Sequence, residues 1–163
     1  MKPGSFVGCL IIAVSFLSEL TARSEHFDID LTVEGAGDRQ EAHRDESPPF
    51  EGHNRRAIFH GRHGEPLRFQ FLFTNANPHV SLKQVEIRYY IVSTKDGTLK
   101  ASPSADGETV FSGRFVLDFK FKGRLGYKGK FSILAAGRYL LRVESTKSGA
   151  DHEHFAAIDL EIE

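Results

Sequence analysis

Strict alternation of apolar and polar side chains limits how this chain can fold more than any other feature. In "EPLRFQFLFTN", Leu67, Phe69, Phe71 and Phe73 share one face. "LKQVEIRYYIVS" repeats the pattern with Val85, Ile87, Tyr89 and Ile91. In "RFVLDFKFKG", Phe115, Leu117, Phe119 and Phe121 point one way, while Arg114, Asp118, Lys120 and Lys122 point the other. "GRYLLRVES" contributes Tyr139, Leu141 and Val143, and "FAAIDLEIE" contributes Ala156, Ile158, Leu160 and Ile162. Near the start, "HFDIDLTVE" alternates through Phe27, Ile29, Leu31 and Val33. Successive side chains on a strand face opposite ways, so each segment is a strand with one buried face. "KFSIL" is a further short strand or a turn of helix. No segment sustains the 3.6-residue period of a helix. About seven short strands, punctuated by turn signals at Asp96-Gly97 and Asp106-Gly107, predict an all-β antiparallel β-sandwich.

The chain has 163 residues, room for one domain behind an export signal. Lys2 precedes an apolar run from Phe6 to Leu17, the length of a signal-peptide core and too short to span a membrane as a helix. Residues 1–22 therefore read as a signal peptide, with cleavage near Ala22, and the protein as secreted or periplasmic, the alternative being an uncleaved anchor. Residues 23–34 hold the first strand. Residues 35–56, charged and interrupted by Pro48-Pro49, read as a polar flexible linker or long loop. Residues 57–163 complete the sandwich. Cys9 lies within the signal, so the mature chain is expected to have no thiol chemistry and no disulfide. With a formal net charge of −1, the chain is not expected to bind nucleic acid or anionic membranes, and no transmembrane segment is expected after processing.

"AAGRYLLRVES" resembles the penultimate strand of immunoglobulin-like and fibronectin-type sandwiches, with glycine, one residue, tyrosine, then alternating apolar positions. By that resemblance Tyr139 is a tyrosine-corner residue whose hydroxyl bonds the backbone of the preceding corner. Leu141 stands where antibody domains carry their second cysteine, and the chain has no Trp, which sets it apart from antibody-type domains. The likeness is one of fold and implies no particular activity.

The 8 histidines are the main candidates for metal ligation. His152 and His154 in "DHEH" are two apart and share a strand face, an arrangement that suits zinc or copper. In the topology that the resemblance implies, His79 in "NANPHVS" lies at the same end of the sandwich. Asp151 or Glu153 offers a fourth ligand. His60 and His63 belong to the other end, about 25 Å away along a strand of roughly eight residues. The competing reading is structural, because His152 and His154 share parity with the core positions Ile158 and Leu160.

Two surfaces also stand out. "RFVLDFKFKGRLGYKGK" gathers Arg114, Lys120, Lys122, Arg124, Lys128 and Lys130, a row suited to an anionic glycan or polymer and equally suited to keeping a sheet soluble. If the strands adjoin as the resemblance implies, Arg88, Tyr90 and Val92 with Leu140 and Arg142 make either an exposed apolar patch rimmed by arginine, a protein-binding surface, or a face covered by the N-terminal strand or linker. The sequence lacks GxSxG, HExxH and P-loop motifs, and its inward positions carry few polar groups, so no catalysis is expected. The expected function is an exported noncatalytic binding or structural module recognising a protein or cell-surface polymer. The alternative is a secreted or periplasmic metal-binding module using the loop histidines.

Overall fold

The alternating segments pair into two sheets stacked face to face. A computed structural model describes residues 27–43, 56–75, 79–94, 108–147 and 154–163. The first sheet contains β1 (Asp28–Gly35), β2 (Asp38–Ala42), β4 (Pro66–Thr74) and β7 (Arg124–Ser132), ordered β2-β1-β4-β7 and antiparallel throughout. The second contains β3 (Ile58–Gly61), β5 (Leu82–Ser93), β6 (Thr109–Phe119), β8 (Gly137–Lys147) and β9 (Phe155–Ile162), ordered β3-β9-β8-β5-β6. There only β3 and β9 run parallel. The fold is an all-β sandwich with no helix among the described residues.

The inward assignments made from alternation on β1, β4, β5, β8 and β9 hold: each of those side chains is at most 7% exposed. Phe27 packs edge-on against Phe119 at 5.7 Å between centroids, and Phe73 edge-on against Phe115 at 5.9 Å, so rings from both sheets interlock. Such pairs contribute roughly 0.5–1.5 kcal/mol beyond the area they bury. The Tyr139 hydroxyl donates to the Ala135 carbonyl at 2.9 Å, the corner contact expected from "AAGRYLL".

The described residues form nine strands where about seven were expected. Asp38–Ala42, within the segment expected to be a linker or loop, is strand β2. The turn before it uses positive φ at Ala36 (50°) and Gly37 (83°), which reverses the chain tightly enough to pair Glu34 with Arg39 and Thr32 with Glu41. Arg39 pairs across to Glu34 of β1 at 3.4 Å and with Glu41 of its own strand at 2.6 Å, so the strand is held by charges on its outer face, with Ala42 alone fully buried. β7 is also longer than "KFSIL" suggests. Glycines interrupt its apolar row, and the Phe69 ring lies where a Cβ on Gly129 would project. Phe121 is 55% exposed instead of inward, because β6 ends at Phe119 and the chain turns there, Lys122 adopting φ 52° and the Gly123 amide bonding the Lys120 carbonyl. The turns expected at Asp96-Gly97 and Asp106-Gly107 lie outside the described residues, as does the segment 1–22.

Candidate anion-binding groove

His79 is exposed, whereas His154 is fully buried with its ring 5.0 Å from that of Phe27. The His154 amide donates to Ser145 Oγ at 3.1 Å, and its carbonyl accepts the Ser145 amide at 2.8 Å. Parity explains its direction: it shares the inward face of β9 with Ala156 and Ile158. His79 precedes β5, and His154 opens β9, at one end of the sandwich. His60 pairs with Glu161, and the His63 amide bonds the Glu163 carbonyl, at the other end. His152 and Asp151 lie outside the described residues. Among the described residues no three His, Cys, Asp or Glu side chains converge on a point that would hold a metal ion.

The five residues singled out as an exposed patch sit side by side, with Tyr90 opposite Arg142 and Val92 opposite Leu140. They are not an exposed patch. Tyr90, Val92 and Leu140 are 4%, 7% and 3% exposed, and they cluster with Ala157. Glu144 gathers the polar groups: it accepts from Arg88, from Arg142 Nε at 2.5 Å and from the Tyr90 hydroxyl at 3.2 Å. Arg142 also lies 4.2 Å from the centroid of the Phe155 ring. Burial, and then the Glu144 charge, push the Tyr90 hydroxyl well above the usual phenol range. The arginines thus serve an internal network on the outer face of this sheet.

The open concavity lies on the other sheet. A groove of about 490 Å³ crosses the outer face of β1, β4 and β7 and is bounded by Arg39 of β2. Thr32 and Gln70 supply neutral polar groups, and Arg39, Arg68, Lys128 and Lys130 supply positive charge. Glu34 is the one carboxylate lining it, and it is shared, 3.4 Å from both Arg39 and Arg68. Arg39 is also paired with Glu41 at 2.6 Å, so the two arginines share two carboxylates and the excess positive charge of the groove rests on Lys128 and Lys130. Lys128 and Lys130 make no ion pair among the described residues. They alternate along β7 on the outward face, about 7 Å apart. In register, Lys128 faces Gln70 and Lys130 faces Arg68.

The cationic run seen in the sequence is therefore divided by the fold. Lys128 and Lys130 enter the groove. Arg124 lies farther along β7, beside Asp28, Asp30 and His43. Arg114 belongs to the opposite sheet. Thr32, Arg39, Arg68 and Gln70 were not singled out from the sequence. Their outward parity was readable, but their convergence depends on the strand order β2-β1-β4-β7.

No protein-family model matches the chain. No curated protein matches it either. Among solved structures it is similar to a chitin binding domain from Burkholderia pseudomallei (14% identity, TM-score 0.43, covering 72% of this chain and 61% of that one). It is also similar to an AA10 lytic polysaccharide monooxygenase from Streptomyces lividans (10% identity, TM-score 0.40, 71% and 65%). A third is the PmoD soluble domain from Methylocystis sp. ATCC 49242 (Rockwell) (14% identity, TM-score 0.39, 83% and 90%). The chain spans just under two thirds of the length of the first two. These are similarities of overall strand arrangement.

Proposed function

We propose that this chain is an exported, noncatalytic β-sandwich module whose groove on the four-stranded sheet takes an anionic polymer, a polysaccharide bearing carboxylate or sulfate groups. The observation that carries this reading is the lining itself: Arg39, Arg68, Lys128 and Lys130 against the shared Glu34, with Glu41 held by Arg39 at the margin, in an open channel of about 490 Å³. Cations repeat both along β7 and across to β4, which suits a ligand with several spaced anions better than a single small ion. Thr32 and Gln70 offer hydrogen bonds of the kind sugar hydroxyls make. Among the described residues the groove lining offers no carboxylate pair, histidine or serine with which to assemble acid–base or nucleophilic catalysis. Export is supported by the basic start and apolar run at the N-terminus.

Affinity electrophoresis through gels containing polygalacturonate, dextran sulfate or neutral dextran tests the proposal. The anionic gels are expected to retard the protein and the neutral gel is not. Retardation should weaken with salt as screening shortens from about 10 Å at 0.1 M to about 3 Å at 1 M. Replacing Lys128 and Lys130 together with alanine should lower affinity roughly tenfold, two modest charge contacts' worth. Equal retardation by neutral dextran, or none by either anionic polymer, overturns the reading.

A further inference from the structure

The two flanks of the sandwich differ, and the open one shares Lys128 and Lys130 with the groove. β6 and β7 are edge strands of opposite sheets and follow one another in the chain. Between them the core is incompletely covered. Phe111, Phe115, Leu117 and Leu125 are half-buried, and Tyr127 is 36% exposed. The rings are ordered across this opening: Phe115 stacks on Tyr127 at 4.8 Å, and Phe111 on Phe131 at 6.2 Å. β7 pairs on one side only among the described residues, leaving a nine-residue edge about 30 Å long with unpaired backbone groups.

We infer that the β7 edge is an acceptor for an extended segment of a partner protein in which acidic and apolar residues alternate. Pairing against β7 places alternate side chains of the incoming strand on opposite faces. One set faces Arg124, Lys128 and Lys130 on the outside, where acids are complementary. The other set enters the opening beside Leu125 and Tyr127, opposite Phe115 of the other sheet, where apolar groups complete the core. Backbone hydrogen bonds supply affinity and the alternating side chains supply register. A second copy of this chain is disfavoured at the same edge, because β7 against β7 sets cation against cation. β7 has neither a proline nor an inward charge, and its outward Arg124, Lys128 and Lys130, which discourage a neutral or basic strand, suit an acidic one.

The test uses the full processed chain and two fluorescein-labelled decapeptides of identical composition. One alternates Asp or Glu with Val; the other groups its acids in one block. Fluorescence anisotropy is expected to show the alternating peptide binding roughly tenfold tighter or better. Amide hydrogen exchange, followed by NMR, is expected to slow along residues 124–132 when that peptide binds. Phe115→Ser should weaken the peptide while leaving polygalacturonate retardation unchanged, because Phe115 lies outside the groove. Equal affinity for the two peptides, or a bound complex without slowed exchange in β7, overturns the inference. The polysaccharide reading is judged by gel retardation and this one by peptide pattern and amide protection, so either can fail without the other.

Discussion

One flank of this sandwich is sealed and the other is open. At the sealed flank the edge strands are β2 and β3, five and four residues long. The Asp38 carboxylate reaches across from β2 to accept the His60 amide at 2.9 Å. Behind that bridge Phe59 and Ala42 are fully buried. At the open flank the edges are β6 and β7, eleven and nine residues long, and the side chains between them are only half-buried. Sealing takes short edges and one side-chain-to-backbone bridge. Long edges without a bridge leave aromatic surface and backbone groups for a partner.

The largest effect that sharpens this contrast comes from truncating one phenylalanine at each flank. Phe59→Ala should cost about 3–5 kcal/mol, the range for a fully buried ring. Phe115→Ala should cost about half as much, because that ring keeps solvent contact in the native state. Urea denaturation measures both, and equal losses would erase the distinction.

Next in size is the seal itself. Asp38→Ala leaves the His60 amide without its acceptor and should cost about 1–2 kcal/mol. The His60 amide, ahead of the Gln40 and Arg39 contacts, holds the Asp38 carboxyl below the usual carboxylate range against the opposing effect of burial. A depressed folded-state value means the contribution is present above the ordinary carboxylate pKa and lost as pH falls through the depressed one. Wild type and Asp38→Asn should therefore converge in stability under acid, which thermal melts between pH 7 and pH 2 would show.

The open flank carries the opposite signature in alkali. Burial, then the hydrogen bond and charge of Tyr127, push the Tyr89 hydroxyl up to about 12, and the two hydroxyls lie 3.1 Å apart. A raised folded-state value gives stability that is full below the ordinary phenol pKa and lost as pH rises through about 12. Tyr89→Phe should remove that loss, and absorbance at 295 nm should show one fewer late-titrating tyrosine. The smallest expected effect on stability is at Lys128. Its replacement by alanine should change stability by less than about 0.5 kcal/mol, because it makes no ion pair among the described residues.

The core was legible because five strands keep strict alternation, and each inward assignment on them is buried. Tyr139 was legible because its corner contact is local, four residues back. β2 was hidden because its outward face is charged and it buries little apolar surface. β7 was hidden because Gly129 interrupts its apolar row, the missing side chain being replaced by a ring from β4. The expected exposed patch failed for a related reason: parity placed Tyr90, Val92 and Leu140 on an outer face, but parity says nothing about what Glu144 and Phe155 gather around them. The groove residues come from four strands, so their convergence is a property of strand order.

The most direct test of where this molecule binds is an NMR titration of the labelled chain with oligogalacturonate, recorded at low ionic strength. The account predicts amide shifts concentrated at Thr32, Arg68, Gln70, Lys128 and Lys130, with β3 and β9 unaffected. Shifts centred on the outer face of β8 and β9, or none at all, would contradict it.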